Sequence, residues 1–253
     1  MNGEMLQSCK LAAAAKLALQ KKKGINYEPL KYENSIVFDF LPQKSFFSTK
    51  TYRASNVKEW FEKCQSYGLQ DIKLLMPKTV KDRSLLGFSN TTQDSLVCFY
   101  KDGKVTYFTA RWDFDNTQKL WNITYTEHLW ENAPQGRPSF ADNTKEFAEV
   151  LEKIETLARD IDCDGFAEVF HSAGTILRDG VKDTSGTGIS LPEKNYGLFM
   201  AASKADVFGA MGSWNDSPPY MAHERGLEER YEELSEELLM QLRLAILYAV
   251  NEW

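Results

Sequence analysis

The chain changes character once along its length, and that change limits the folds open to it. Residues 1–134 carry 19 Lys and Arg against 14 Asp and Glu, a net charge of +5, whereas residues 135–253 carry 11 against 22, a net −11. The first stretch reads as aromatic strands with two helices; the second reads as helices. Opposite charge on two segments of one chain marks either a partner surface or two segments that attract each other.

At 253 residues the chain holds one large domain or two small ones, and it is long enough to bury a substantial core. A hydrophobic content of 43% beside 26% charged residues is globular composition. No apolar run approaches the ~20 residues of a bilayer span; the stretch from Leu11 to Leu19 is interrupted by Lys16. The N-terminus lacks a basic start, an apolar core and a small-residue cleavage site, and no apolar stretch precedes Leu6-Gln7-Ser8-Cys9, which rules against a lipoprotein signal. Cys9, Cys64, Cys98 and Cys163 stand at no metal or redox spacing. Scattered thiols in a chain this long point to a reduced, cytoplasmic protein. A net charge of −6 argues against a general nucleic-acid binder.

The first helix is expected over residues 4–22, with a strip through Met5, Cys9, Ala13 and Lys16, and a stop at Lys21-Lys22-Lys23-Gly24. A strand over 35–40 ends before Pro42. A helix over 57–67 is capped by Ser55 or Asn56, and a strand over 71–76 is closed by Pro77. A short strand is expected over 84–89. The clearest stretch is a β-meander of 95–100, 104–115 and 119–128, with Lys101-Asp102-Gly103 as a hairpin turn. Residues 132–138 form the best linker. Helices follow over 144–159, 165–178 and 196–211, and one long helix over 218–251. The fold class is therefore α+β. An antiparallel meander with two helices occupies residues 1–134, and a bundle of about four helices occupies 139–253, as two domains or one intimately packed unit.

Four constellations have chemical potential. Asp160, Asp162 and Asp164 alternate before Gly165, as a calcium loop begins, and Glu168 falls at the ninth position. The twelfth position, which needs a bidentate carboxylate, is His171; helix capping explains the same aspartates. On the central meander strand, alternation places Tyr107, Thr109, Arg111, Asp113 and Asp115 on one face and Phe108, Ala110, Trp112 and Phe114 on the other. His128 on the next strand joins the polar row, which suits either ligand binding or a solvated sheet face. In Gly212–Tyr220, Trp214 is more than a turn requires, and Asp216 and His223 lie close in sequence. Asp183–Gly188 is a weak candidate for an anion-binding nest. No nucleophile elbow, P-loop or histidine cluster is complete.

These residues lead to a cytoplasmic, non-catalytic binding or regulatory protein, toxin-neutralising or otherwise partner-binding. Its candidate contacts are Arg111, Asp113, His128, Trp214, Asp216 and His223. The alternatives are an enzyme on a small polar substrate at the seam between sheet and helices, and a weak calcium-binding protein through Asp160, Asp162, Asp164 and Glu168. No cofactor motif is evident beyond that calcium pattern. The partner is expected to be a protein or a small polar ligand, and no motif specifies an oligomeric state.

Overall fold

In the computed structural model, which describes residues 1–44, 49–81, 83, 86, 94–181, 187–209 and 211–253, the strand-forming and helix-forming segments separate as the composition does. The elements are α1 (Gly3–Lys21), β1 (Glu33–Asp39), β2 (Gln43–Lys44), β3 (Thr49–Lys50), β4 (Arg53–Ala54), α2 (Val57–Ser66), β5 (Leu69–Leu75), β6 (Ser95–Tyr100), β7 (Val105–Asp115) and β8 (Leu120–Leu129). The helices α3 (Thr144–Asp160), α4 (Asp164–Asp179), α5 (Glu193–Ala205), α6 (Pro218–Glu224) and α7 (Glu228–Asn251) follow. The expected strand over 84–89 falls, Leu86 apart, outside the described residues, as does the nest candidate up to Gly186. Among the described residues, no helix is long and apolar enough to cross a membrane.

The class is α+β, but the sheet is not a pure meander. Its order is β4-β1-β8-β7-β6-β5. Strands β5 to β8 run antiparallel in sequence, and β1 then lies parallel to β8. Short turns specify the local hairpins. The β1–β8 pairing joins residues more than 80 positions apart, so no turn signal announces it. A second pair, β2 with β3, is antiparallel.

One sheet face is packed under helices. Asn56 caps α2 by accepting from the Glu59 N–H at 2.9 Å. The helix then lays Trp60 on Phe38, with ring centroids 4.7 Å apart and nearly parallel planes. Phe38 in turn stacks on Tyr125 at 5.0 Å. Helix α1 is buried on almost every side, not along one strip, because it lies between the sheet and α7. Its buried polar side chains reach tertiary partners, the Gln7 Nε2 excepted. Tyr125 Oη donates to Gln7 Oε1 at 2.6 Å and lies 3.2 Å from Ser8 Oγ, and Lys10 Nζ donates to the Glu28 carbonyl at 3.0 Å. Phe114, assigned to the core face by alternation, overhangs the sheet end and is 43% exposed.

The helical part abuts the β5 edge. Asn251 accepts from the Leu74 N–H and donates to the Leu74 carbonyl, both at 2.8 Å, so a side-chain amide closes an edge that would otherwise stay unpaired. Lys73 reaches Glu252 at 2.8 Å beside it. Two helix boundaries differ from expectation. Helix α5 ends at Ala205, six residues before Met211. The single long helix is two, α6 and α7, separated at Gly226 with φ +67°. The left-handed residue breaks the ladder, and the Leu227 N–H bonds the Ala222 carbonyl instead.

Candidate functional site

Strand alternation builds the first site. The register pairs Tyr107 with His128, Thr109 with Thr126, Arg111 with Thr124 and Asp113 with Asn122. All eight side chains share the face opposite α2. That face is covered over β5 and β6, where Val97, Phe99 and Lys73 are buried and the Arg137 guanidinium lies 5.8 Å from the Phe99 ring. It is open over β7, β8 and β1.

The open part has an aromatic end and a polar end. Tyr107 and His128 stack at 5.0 Å, Trp130 meets Tyr107 edge-on at 6.4 Å, and Thr109 Oγ1 lies 3.0 Å from His128 Nε2. Beside them opens a slot of about 430 Å³ whose walls include Met76, Pro77, Val97, Tyr107, Leu129 and Trp130. Leu129 is 47% exposed at its mouth. Toward the other end, Arg111 Nε donates to Asp113 Oδ2 at 2.9 Å. Arg53 clamps Asp39 through two hydrogen bonds at 2.5 and 2.6 Å, which hold the Asp39 carboxyl below its ordinary range.

The remaining contact candidates lie elsewhere. Trp214 is core, not contact surface. It is fully buried, its Nε1 donates to Ser235 Oγ at 2.8 Å, and its ring meets Phe166 and Phe170 at 5.2 Å and Tyr231 at 5.4 Å. Asp216 Oδ2 accepts from the Gly212 N–H at 2.7 Å and so shapes its own loop. His223 pairs with Glu228 on the surface, which raises its pKa. Arg111, Asp113 and His128 are therefore assembled on one sheet face, and Asp216 and His223 are held by partners in the helical part. The three calcium-pattern aspartates turn to three different arginines: Asp160 to Arg230, Asp162 to Arg225 and Asp164 to Arg159, which also takes Glu168. Among the described residues, no group of three metal-ligating side chains converges.

A second concavity lies on the seam. A cleft of about 760 Å³ is lined by the start of α1, by Tyr32, Trp112 and Trp121, and by Asp206, Phe208, Gly209, Met211, Gly212 and Ser213, of which Gly212 is held by Asp216. Trp112 meets Tyr32 at 6.2 Å and Trp121 at 5.9 Å, and Met211 stands 95% exposed on the rim. Burial raises the Asp206 pKa, and the Met1 ammonium at 3.6 Å and Arg243 oppose that rise.

Sequence reasoning identified the row through Tyr107, Arg111 and His128 but missed Trp130, although extending the alternation of β8 by two residues reaches it. The slot wall from Met76 and Pro77 had no signal, because it depends on the β5–β6 pairing. Comparison with family models, with curated proteins and with solved structures gave no match.

Proposed function

We propose that this is a non-catalytic binding protein, of the regulatory or toxin-neutralising kind, which docks a protein partner on the open part of its sheet. One observation supports this above the others: the uncovered face places an aromatic, apolar slot directly beside a polar row. A slot of this kind takes an apolar anchor side chain, and the Arg111–Asp113 and Arg53–Asp39 pairs form a rim able to exchange internal for intermolecular hydrogen bonds. Tyr107 and Trp130 are the residue types that dominate such interfaces.

The test is a native-lysate capture that compares variants. A stoichiometric partner should bind the wild type and His223→Ala but be lost from the Tyr107→Ala/Trp130→Ala double variant, with circular dichroism unchanged. Capture of no stoichiometric partner, or equal capture by the double variant, would overturn the reading.

The volume of the seam cleft favours a second reading, a site for a small polar substrate where sheet and helices meet. Its lining includes Glu4, Asp206, Tyr32 and the Met1 ammonium, so any acid–base chemistry there draws on these groups and not on Arg111 or His128. Thermal-shift screening against small amines, polyols and carboxylic acids separates the two readings. A ligand of the cleft stabilises the Tyr107→Ala/Trp130→Ala variant as well as the wild type.

A further inference from the structure

The backbone at the outer edge of β1 is only partly paired. Strand β4 matches it at two positions, Phe38 with Ala54 and Asp39 with Arg53, and then the chain leaves to start α2. The Phe40 N–H bonds the Tyr52 carbonyl, so even-numbered residues of this stretch point their backbone groups away from β8. Ile36 obeys the same parity. Among the described residues, its outward N–H and C=O meet no backbone or side-chain partner. The residue is 6% exposed and lines an open groove, so these two groups are left to water or to an incoming strand.

Space for a strand is present. A groove of about 530 Å³ lies at the edge, and Ile36, Ile25, Tyr27, Asn56 and Val57 are among the residues that line it. The groove walls are part apolar, and Asn34 and Lys58 line it with polar groups. We propose that this edge is a strand-addition site that takes an extended segment of a protein partner, which hydrogen-bonds the Ile36 backbone and extends the six-stranded sheet beyond β1 where β4 falls short. Main-chain pairing supplies the affinity, and alternate side chains of the segment enter the groove, so small or β-branched residues suit it. The site goes beyond the docking face and stands whether or not that face binds a partner.

The experiment uses the isotope-labelled 253-residue protein and two probes: an acetylated, amidated six-residue Thr-Val repeat, and the same peptide N-methylated at every residue, which cannot donate to the Ile36 carbonyl and whose N-methyl groups keep its backbone from closing to hydrogen-bond distance of the edge. With about 1 mM of the first, the Ile36 amide should shift and exchange about tenfold more slowly, as expected for a newly made hydrogen bond. The methylated peptide should leave it unchanged. No effect at Ile36, or the same effect with both peptides, overturns the proposal. The response should persist in Tyr107→Ala/Trp130→Ala, which separates failure of this site from failure of the docking face.

Discussion

Asp94, the residue before β6, has a buried carboxylate, and its Oδ2 lacks a hydrogen-bond partner. Burial pushes its pKa up to about 6 from 3.8, against a hydrogen bond from Ser8 and the charge of Arg243. The groups facing it are Ser8, Cys9 and Glu4 from α1, Tyr125 from β8 and Arg243 from α7. Because the folded value lies above the unfolded one, the folded chain takes up the proton first. The stabilisation is fully present below about pH 4 and is lost as pH rises through 6. Asp94→Asn should therefore stabilise the protein at pH 8 by up to about 3 kcal/mol and add almost nothing at pH 4. Urea unfolding at both pH values checks this, and a constant offset between variant and wild type would contradict it. The sequence marks Asp94 only as one more acid before a strand. Its burial depends on α1 and α7 arriving from both ends of the chain. Trp214 repeats the lesson: the turn around it was legible, but its partners come from two helices outside that turn, Ser235 and Tyr231 from α7 and Phe166 from α4.

Helix signals were readable where they are local. Asn56 before α2, the amphipathic stripe of α3 and the Lys101-Asp102-Gly103 turn all act within a few residues, and each lies where the pattern put it. The stop of α1 was placed correctly but by the wrong residue. Lys22, not Gly24, is left-handed at φ 50°, and the Lys23 N–H bonds the Ala18 carbonyl. An L-residue in that conformation carries strain that glycine escapes. Lys22→Gly should raise stability by about 0.5–1 kcal/mol, since glycine's greater unfolded-state entropy offsets part of the strain relief. Differential scanning calorimetry should then show a Tm about 2 °C higher. An unchanged or lower Tm would mean that the cap is unstrained. Alternation likewise ordered the β7 and β8 faces, whereas α1 misled because an alanine-rich helix has no polar side to betray burial all round.

Among the described residues, the opposite charges of the two parts meet at a few places, one of them the Met1 ammonium with Asp206. Lys73 pairs with Glu252, and Arg83 reaches Glu232 at 2.5 Å and Glu236 at 3.6 Å. Several acids of the helical part are instead answered within it: Glu155, Asp164 and Glu168 by Arg159, Asp162 by Arg225 and Asp160 by Arg230. Exposed ion pairs contribute about 0–1 kcal/mol each. The junction therefore rests on burial of α1 and on the amide clasp of Asn251 with Leu74. Asn251→Leu leaves two buried backbone groups unpaired and should cost about 2–4 kcal/mol in chemical denaturation, more than Lys73→Met. Equal costs would give the junction to charge instead.

By itself the sequence determined the class, most element positions and the alternation that sorts Arg111, Asp113 and His128 from the core, because these follow from periodicity and turns acting over a few residues. Tertiary structure alone decided that β1 lies parallel beside β8, that α1 is central, and where the slot, the cleft and the unpaired edge of β1 open. Each of these depends on segments brought together from distant parts of the chain, about 55 residues apart at the slot and 80 or more at the β1–β8 pairing, or on a strand ending early, and no local pattern records where another part of the chain comes to rest.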